Sequence, residues 1–496
     1  MILGLSYTAL IISLIAFSIA MLGVYDILQK KHTIWHNYPL IGHIRYLCEA
    51  IAPEIRQYFI ENNREGLPFN RSQRRYVYAS AKKENYNEGF GTDKDFNEQN
   101  HFFINSALFP IKNDKPDVSA LKTIGKRRLK PYKPKSFVNI SGMSFGALSG
   151  VAVESMNKGA LLANCFQGTG EGGFSSYHNQ GGDVVFQFGT GYNGVRNDDG
   201  TFSIHKLIDL VDKNDCIKMI EIKLHQGAKP GAWSILPKEK MTQEIREVRG
   251  IKIGDSISPG YHTAFTNAME LVEFAELIAD VTQLPVGIKC GVGNLDQWYE
   301  LADAIKRTER GPDYIVIDGG EGGTGSAKGS FVDHVGLPFI EAFSSVYKIF
   351  QSYGIEKDIF WIGSGKLGFP AKIVLAMSLG CDSVNIGRES MLSIGCIQAQ
   401  QCHLNTCPSG VATQNKWRQH GLDPTLKSVR FANYIHQLQK DTLEIAAASG
   451  FTHPSQYNTY DIMINGGDSK GLISLNDVYG YCKKNPIKEK EEITCA

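Results

Sequence analysis

The sequence is short of net charge, of cysteine spacings that suit disulfides and, at its start, of any charge at all. Across 496 residues, 52 Lys and Arg meet 51 Asp and Glu, leaving a net charge of +1. That balance gives no whole-chain basic footprint of the kind that binds nucleic acid. Ten cysteines spread over this length make no disulfide scaffold and fit a reducing compartment. From Ile2 to Tyr25 no side chain is charged. A helix of that length, rising ~1.5 Å per residue, covers the ~30 Å thickness of a bilayer's hydrocarbon. A cleaved signal peptide wants a basic start and a shorter apolar run, and a buried core helix wants a polar face. Lys30 and Lys31 follow at once, with no Lys or Arg before them. The positive-inside rule therefore leads us to expect a single-pass protein of the inner or cytoplasmic membrane, with the remaining chain in the cytoplasm.

What is present is a globular composition, 42% hydrophobic and 21% charged, with 51 glycines, many of them paired at the ends of apolar runs. These signals divide the chain into an anchor at 1–27, a cytosolic leader at 28–122, a barrel domain at 123–450 and a tail at 451–496. In the leader, Tyr46–Ile60 is expected as an amphipathic helix that Pro53 kinks or divides. Lys82–Asn100 is polar and reads as loop. Arg71, Arg74 and Arg75, near Tyr76 and Tyr78, read as a solvated or salt-bridged face, with anionic headgroups as the other candidate contact. The tail beyond Pro486 is charged and is expected to be disordered.

From Ser136 to Gly387, β-branched runs alternate with helical stretches. Strands are expected at Phe137–Ile140, Asn164–Gln167, Val184–Phe188, Ile217–Ile222, Val286–Lys289, Tyr314–Asp318, Ile359–Gly363 and Ser383–Ile386. Helices are expected at Ala147–Leu162, Ile204–Asp212, Asn267–Thr282, Asp296–Arg307, Phe339–Tyr353 and Pro370–Leu379, with another at Leu422–Ser449. Eight strands with intervening helices favour an α/β fold of the (β/α)8 TIM-barrel type over an open sheet. A large loop must separate the fourth and fifth strands. Chemistry in such barrels sits at the strands' C-terminal ends, where the polar and glycine-rich residues of this chain fall.

Those strand ends carry the candidate site residues. After the first strand, Ser141-Gly142-Met143-Ser144-Phe145-Gly146 offers small residues that let backbone amides approach a flat ring, and Ser144 can donate a hydrogen bond. After the second, Glu171 stands among glycines without apolar cover and so points at a partner. On the fourth strand, alternation turns Lys223 inward if Ile222 and Leu224 face the helices, and Lys229 lies in the loop above. Lys289 holds a similar inward frame on the fifth. The sixth ends in a turn through Gly322 and Gly323, the seventh in Gly365-Lys366 and the eighth in Gly387-Arg388. Coincident glycine turns after strands seven and eight are the usual phosphate site of a barrel, which makes Gly365, Lys366, Gly387 and Arg388 the expected phosphate ligands. His262 reads either as a proton donor or as a loop histidine.

At 395–414, Cys396, Cys402 and Cys407 fall within twelve residues, with Pro408 directly after the last. Thiolates suit soft iron, but these gaps are not those of zinc ribbons or common ferredoxins. Three thiolates without an obvious fourth ligand suit a cluster with one empty corner, of the [3Fe-4S] kind. Three buried free thiols acting as small hydrophobes are the alternative.

Cys402-His-Leu-Asn-Thr-Cys407-Pro-Ser-Gly-Val-Ala-Thr-Gln414 resembles the [3Fe-4S] loop of the FMN-binding domain of the glutamate synthase family. Met143-Ser144, Thr169-Gly-Glu171-Gly-Gly and Ile222-Lys223-x-x-Gln-Gly-Ala-Lys229-Pro-Gly extend that resemblance over about half the chain. It implies FMN and a [3Fe-4S] cluster on Cys396, Cys402 and Cys407. Met143, Ser144, Lys223, Lys289, Gly322, Gly323, Gly365, Lys366, Gly387 and Arg388 would lie at the flavin, and Glu171, Lys223, Lys229 and Lys289 would form the catalytic set. The implied reaction is reductive amination of 2-oxoglutarate, or a related 2-oxo acid, to glutamate. Ammonia would condense to the imine, reduced FMN would deliver hydride, and single electrons would arrive through the cluster.

The resemblance breaks at two places. Gln167-Gly168 stands where the family has Ser-Asn, and Ala232-Trp233-Ser234-Ile235 replaces the family's Glu-Gly-Gly-Gln. With no amino-terminal glutaminase and no pyridine-nucleotide domain evident, ammonia would come free or from a partner, and electrons from a separate ferredoxin or reductase. Three other readings compete. One is an FMN barrel oxidising a 2-hydroxy acid or an N-substituted amino acid. The others are a barrel like inosine-phosphate dehydrogenase, and a tethered electron carrier.

Overall fold

The computed structural model describes residues 2–481, apart from Ile253 and residues 468–470. The charged stretch beyond Pro486 lies outside the described residues. The chain forms two compact units, one up to Arg74 and one from Arg75 onward.

The first unit opens with a helix at Ile2–Leu28. Its Tyr7–Leu28 portion has a mean hydropathy of 2.2 and is, among the described residues, the one helix long and apolar enough to cross a membrane. The Asp26 carboxylate near its end accepts the Leu40 backbone N–H at 2.9 Å and pairs with His43 Nε2 at 2.9 Å. The expected amphipathic helix runs over Gly42–Ile55 and passes into a wider π-turn at Arg56–Ile60. The helix runs through Pro53 undivided, and the widened turn comes only after it.

The second unit is built on a closed barrel of eight parallel strands: β1 (Val138–Ile140), β2 (Gln167–Gly168), β3 (Val184–Phe188), β4 (Ile217–Lys223), β5 (Val286–Cys290), β6 (Tyr314–Asp318), β7 (Phe360–Ser364) and β8 (Ser383–Ile386). Each strand neighbours the next in sequence, and β8 closes on β1. Nearly every strand residue is buried, as parallel strands covered on both faces must be. Phe166, Val185, Met219, Tyr314, Val316, Phe360 and Ile362 form one core cluster. Tyr314 Oη finds the Ile220 carbonyl at 2.9 Å, which spares the core an unpaired hydroxyl.

Two boundaries differ from expectation for identifiable reasons. The helix expected from Ala147 begins at Gly150, because Ser149 caps it by accepting the Ala152 N–H. Asn164, expected to open the second strand, instead ends that helix in the left-handed region at φ +52°, so β2 starts three residues later. The large loop after β4 is partly ordered, with an antiparallel pair, Ser234–Leu236 on Ser256–Ser258, flanking a helix at Gln243–Arg249.

Segments outside the barrel strands pack onto this unit. Phe102–Ile104 pairs antiparallel with Ile462–Asn465, which in turn pairs with Leu472–Ser474. Tyr76 donates to Asp441 at 2.8 Å and Tyr86 to the same carboxylate at 2.8 Å, while Tyr78 donates to the Cys396 carbonyl at 2.9 Å. At the N-terminal ends of β5 and β6, Arg128 Nε–H is shared between the two oxygens of Asp313 at 2.8 and 3.0 Å, and its two Nη groups span both oxygens of Glu276 at 2.8 and 2.9 Å. The Gly311 and Val286 N–H groups complete those two carboxylates.

Candidate functional site

At the opposite, C-terminal end of the barrel, parallel register sets Lys223 of β4 directly beside Lys289 of β5. Two buried ammoniums side by side need anions. Lys223 Nζ lies 3.2 Å from Glu171 Oε2, and Lys289 Nζ lies 3.6 Å from Asp318 Oδ2 and 3.2 Å from Ser141 Oγ. Burial drives the Glu171 carboxyl upward, yet Lys223, then Lys229 and Arg249, more than offset it and leave it below the usual carboxylate range. Asp318 is likewise pushed up by burial and brought below its ordinary value by Lys289 and by the Gly227 N–H. The inward placement expected for both lysines is thus what the strands produce.

Lys229 sits in the loop above β4, where Nζ donates to the Ser326 carbonyl at 2.8 Å; burial lowers its pKa and Glu171 pulls it part of the way back. Glu171, Lys223, His225, Gln226 and Lys229 line one cleft with about 20 Å³ of free space. Ala232 and Ser234, from the stretch where the motif breaks, complete its wall.

The turns that follow the strands close on one another. Gly170, at φ +71°, brings the β2 turn so near the β1 turn that a Cβ there would stand 2.4 Å from the Ser144 amide nitrogen. After β8, Gly387 lies against the β1 turn, where a Cβ would make ordinary contact with Met143 Sδ at 3.8 Å and Ser141 Cβ at 3.9 Å. Arg388 lies over the β6 turn, where Nη2 donates to the Glu321 carbonyl and its stem packs against Gly323, next to Gly322. After β7, Gly365 and Lys366 take φ +131° and +58° in succession. A lysine in the left-handed region is uncommon and is a feature of functional turns. Burial and then the neighbouring Arg388 charge bring Lys366 down to about 8. Lys366 after β7 and Arg388 after β8 thus place two cations close together at this end. Among the described residues Asn385 Oδ1 on β8 is buried without a donor; Gln167 Oε1 on β2 is too, but that side chain faces the helix layer, where Nε2 donates to the Val153 carbonyl at 3.4 Å.

The cysteine loop leaves the helix that begins at Arg388 and is fastened to the β1 turn. Gln414 Nε2 donates to the Gly146 and Leu148 carbonyls, both at 3.0 Å, and Ser149 N–H reaches the Val411 carbonyl at 2.9 Å. Gln398, Gln400 and Asn405 all lie at positive φ, so the backbone between the thiols is contorted and held by its own bonds, such as Gln414 N–H to Asn405 Oδ1 at 2.7 Å. Burial pushes the Cys396 thiol up to about 12 and raises Cys402 as well; the neighbouring thiols raise both further. Among the described residues no three His, Cys, Asp or Glu side chains close on a single ion. The thiols stand as separate groups on one loop.

Sequence reasoning missed three residues here. Lys240, buried, donates to the Ala147, Cys402 and Ala412 carbonyls at 3.3, 2.5 and 3.1 Å, which ties the β4–β5 loop to the cysteine loop. Arg249 donates to the Phe145 carbonyl at 2.9 Å and to Ser256 Oγ at 3.0 Å. His225 lines the cleft. For His262 the loop reading holds. Tyr192 Oη accepts the Thr263 and Ala264 N–H groups at 3.1 Å, so its own proton goes to His262 Nδ1, and Nε2–H donates to the Lys223 carbonyl at 3.0 Å. Both ring nitrogens are committed, and burial lowers the imidazole to about 4.

A family model described as a conserved region in glutamate synthase matches residues 70–452. A glutamate synthase large subunit-like protein, YerD, of Bacillus subtilis is 35% identical over 95% of this chain and 98% of its own length. An archaeal-type glutamate synthase [NADPH] of Thermotoga maritima is 32% identical over 68% of this chain, which spans 64% of that relative. Among solved structures, a flavocytochrome b2 with sulfite bound aligns over 96% of this chain and 97% of its own at 12% identity, with a TM-score of 0.46. The match along residues 70–452 takes in every strand of the barrel and the cysteine loop. This chain belongs to the glutamate synthase family.

Proposed function

We propose that the chain is an FMN-dependent oxidoreductase that reductively aminates a 2-oxo acid, 2-oxoglutarate or a shorter relative, to the amino acid. The observation that carries this reading is the side-by-side pair Lys223 and Lys289 with Glu171 at the mouth of the barrel. FMN, when bound, supplies the hydride, and a three-iron cluster supplies single electrons. The turn through Ser141, Met143 and Ser144, with Gly387 facing it, would take the planar ring. Gly365, Lys366 and Arg388 would hold the phosphate, with Gly322 and Gly323 beneath the Arg388 stem and Ser144 in the facing turn. Cys396, Cys402 and Cys407 would each take one corner of the cluster, a reading supported by the contorted loop that carries them.

Lys223 and Lys289 hold negative charge in the reduced ring. Lys229 pairs with a substrate carboxylate. Glu171, kept ionised by the lysines, orients the nitrogen that replaces the 2-oxo oxygen. The helix at Tyr7–Leu28 anchors the chain in the membrane, with the barrel on the side of Lys30 and Lys31. A ferredoxin or reductase serves as electron donor, and ammonia arrives free or from a partner.

One observation favours a second reading. The cleft is narrow, and the altered residues Ala232 and Ser234 wall it, which favours a small acid over a five-carbon diacid. A two- or three-carbon acid, as 2-oxo acid or as the 2-hydroxy acid to be oxidised, fits it with less displacement. The test uses the full-length protein in detergent, reconstituted anaerobically with FMN, iron and sulfide. It is offered ammonia with 2-oxo acids of two to five carbons and photoreduced ferredoxin, and separately 2-hydroxy acids and N-methyl amino acids. Ammonia-dependent amino acid formation is expected. Flavin reduction only by a hydroxy or N-methyl acid would overturn the primary reading.

A further inference from the structure

Of the side-chain nitrogens that line the cleft, all but one are engaged. Lys223 Nζ meets Glu171 and Gln226 Oε1 at 3.2 and 3.4 Å, Lys229 Nζ donates to Ser326 O, and Gln226 Nε2 donates to Gly323 O. The exception is His225 Nε2, for which the described residues offer no partner. The other ring nitrogen, Nδ1, accepts the Gly291 backbone N–H at 3.2 Å. A backbone amide has only a proton to give, so this contact fixes the neutral tautomer with hydrogen on Nε2. Gly291 itself is pinned, since a Cβ there would stand 2.9 Å from Gly227 Cα; the donor is set on the packed meeting of the β4 and β5 ends. Burial, then Lys223, holds the imidazole down at about 4, which keeps it uncharged. His262 is the internal contrast, with both nitrogens spent within the protein.

We infer that His225 Nε2–H is the uncharged hydrogen-bond donor that recognises the 2-oxo group of the substrate, so that it confers selectivity for 2-oxo acids over acids lacking that oxygen. This rests on the proposed function. The lysines recognise carboxylate charge and cannot tell a 2-oxo acid from the corresponding plain acid. A neutral donor beside them can, because it offers an acceptor oxygen a bond that a methylene cannot return. His225 occupies one of the two positions that the motif Ile-Lys-x-x-Gln-Gly-Ala-Lys-Pro-Gly leaves open, so the feature belongs to this chain rather than to the motif.

The experiment titrates the full-length, FMN-loaded protein with 2-oxoglutarate, pyruvate and glyoxylate, and with glutarate, propionate and acetate as plain partners. Dissociation constants are read from the perturbed flavin absorbance. His225→Ala is expected to weaken 2-oxo acids by about ten- to a hundred-fold while shifting the plain acids by less than about two-fold. His225→Gln, which keeps an N–H, is expected to restore part of the difference. FMN affinity, measured for each variant, is expected to match the unaltered chain. Equal weakening of both ligand classes, or none, with a normal response of the unaltered chain would overturn the inference alone. Failure of the unaltered chain to respond to any 2-oxo acid would overturn the proposed function and this inference with it.

Discussion

The two ends of the barrel handle buried charge in opposite ways. At the N-terminal end every oxygen of Glu276 and Asp313 has a donor, with Arg128 spanning both carboxylates at 2.8–3.0 Å. At the C-terminal end Lys223 and Lys289 make looser contacts of 3.2–3.6 Å, and Asn385 Oδ1 is buried without a donor among the described residues. A saturated network stabilises the fold and offers nothing to a ligand. An unsaturated one costs stability and keeps its valences for something that arrives. The difference fits a structural role for one end and supports the proposed chemistry at the other.

Breaking the saturated end should have the largest effect on stability. Arg128→Met leaves Glu276 with Arg127 and the Gly311 N–H, and Asp313 with the Val286 N–H and a longer contact to Arg127, and is expected to cost about 3 kcal/mol in a denaturant titration of the detergent-solubilised chain. The same end should set the acid limit. Against the push of burial, Arg128, the Gly311 N–H and Arg127 depress Glu276 to about 2, so its contribution is full above its ordinary range and fades as pH falls from there towards 2. Arg128→Met should flatten that acid dependence, which unfolding midpoints between pH 2 and 6 would read.

At the open end the ranking inverts. Lys223→Met is expected to lower the 2-oxo acid reaction by about 10²–10³-fold, a loss like that of one preorganised donor to developing charge, while costing less stability than Arg128→Met. Paired rate and unfolding measurements on the two variants would sharpen the contrast or dissolve it. Lys366→Ala is expected to weaken FMN by about ten-fold in a fluorescence titration, with substrate affinity of the loaded protein unchanged. As a control belonging to neither end, Arg307→Ala removes an exposed partner of Asp303 at 2.8 Å and should change stability by no more than about 0.5 kcal/mol.

Most of the barrel was legible because its strands are short, apolar and punctuated by glycine. Val184–Phe188, Tyr314–Asp318 and Ser383–Ile386 fall where the residues alone put them. The second strand was misplaced because a left-handed cap at Asn164 is a backbone choice that an Asn permits but does not announce. Phe102–Ile104 carried no readable sign of its role, since its partner lies some 360 positions later and only the fold introduces them. In the site, Lys223 and Lys289 could be placed by alternation along strands. Lys240 could not, because its acceptors belong to Ala147, Cys402 and Ala412 on distant turns. His225 went unremarked for a related reason, its tautomer being set by an amide on the next strand.

The phenol hydroxyls of Tyr76, Tyr86 and Tyr78 decide where the protein can be shortened for work in aqueous buffer. A fragment starting near Asn70 would shed the apolar helix and retain the whole of Arg71–Lys82. One starting after Asn100 would strip Asp441 of two donors and release the Cys396 carbonyl from its own. Trimming past Ile104 would also bare an edge of Ile462–Asn465 and invite aggregation. A soluble catalytic piece therefore has to keep far more of the amino-terminal region than hydropathy alone would advise.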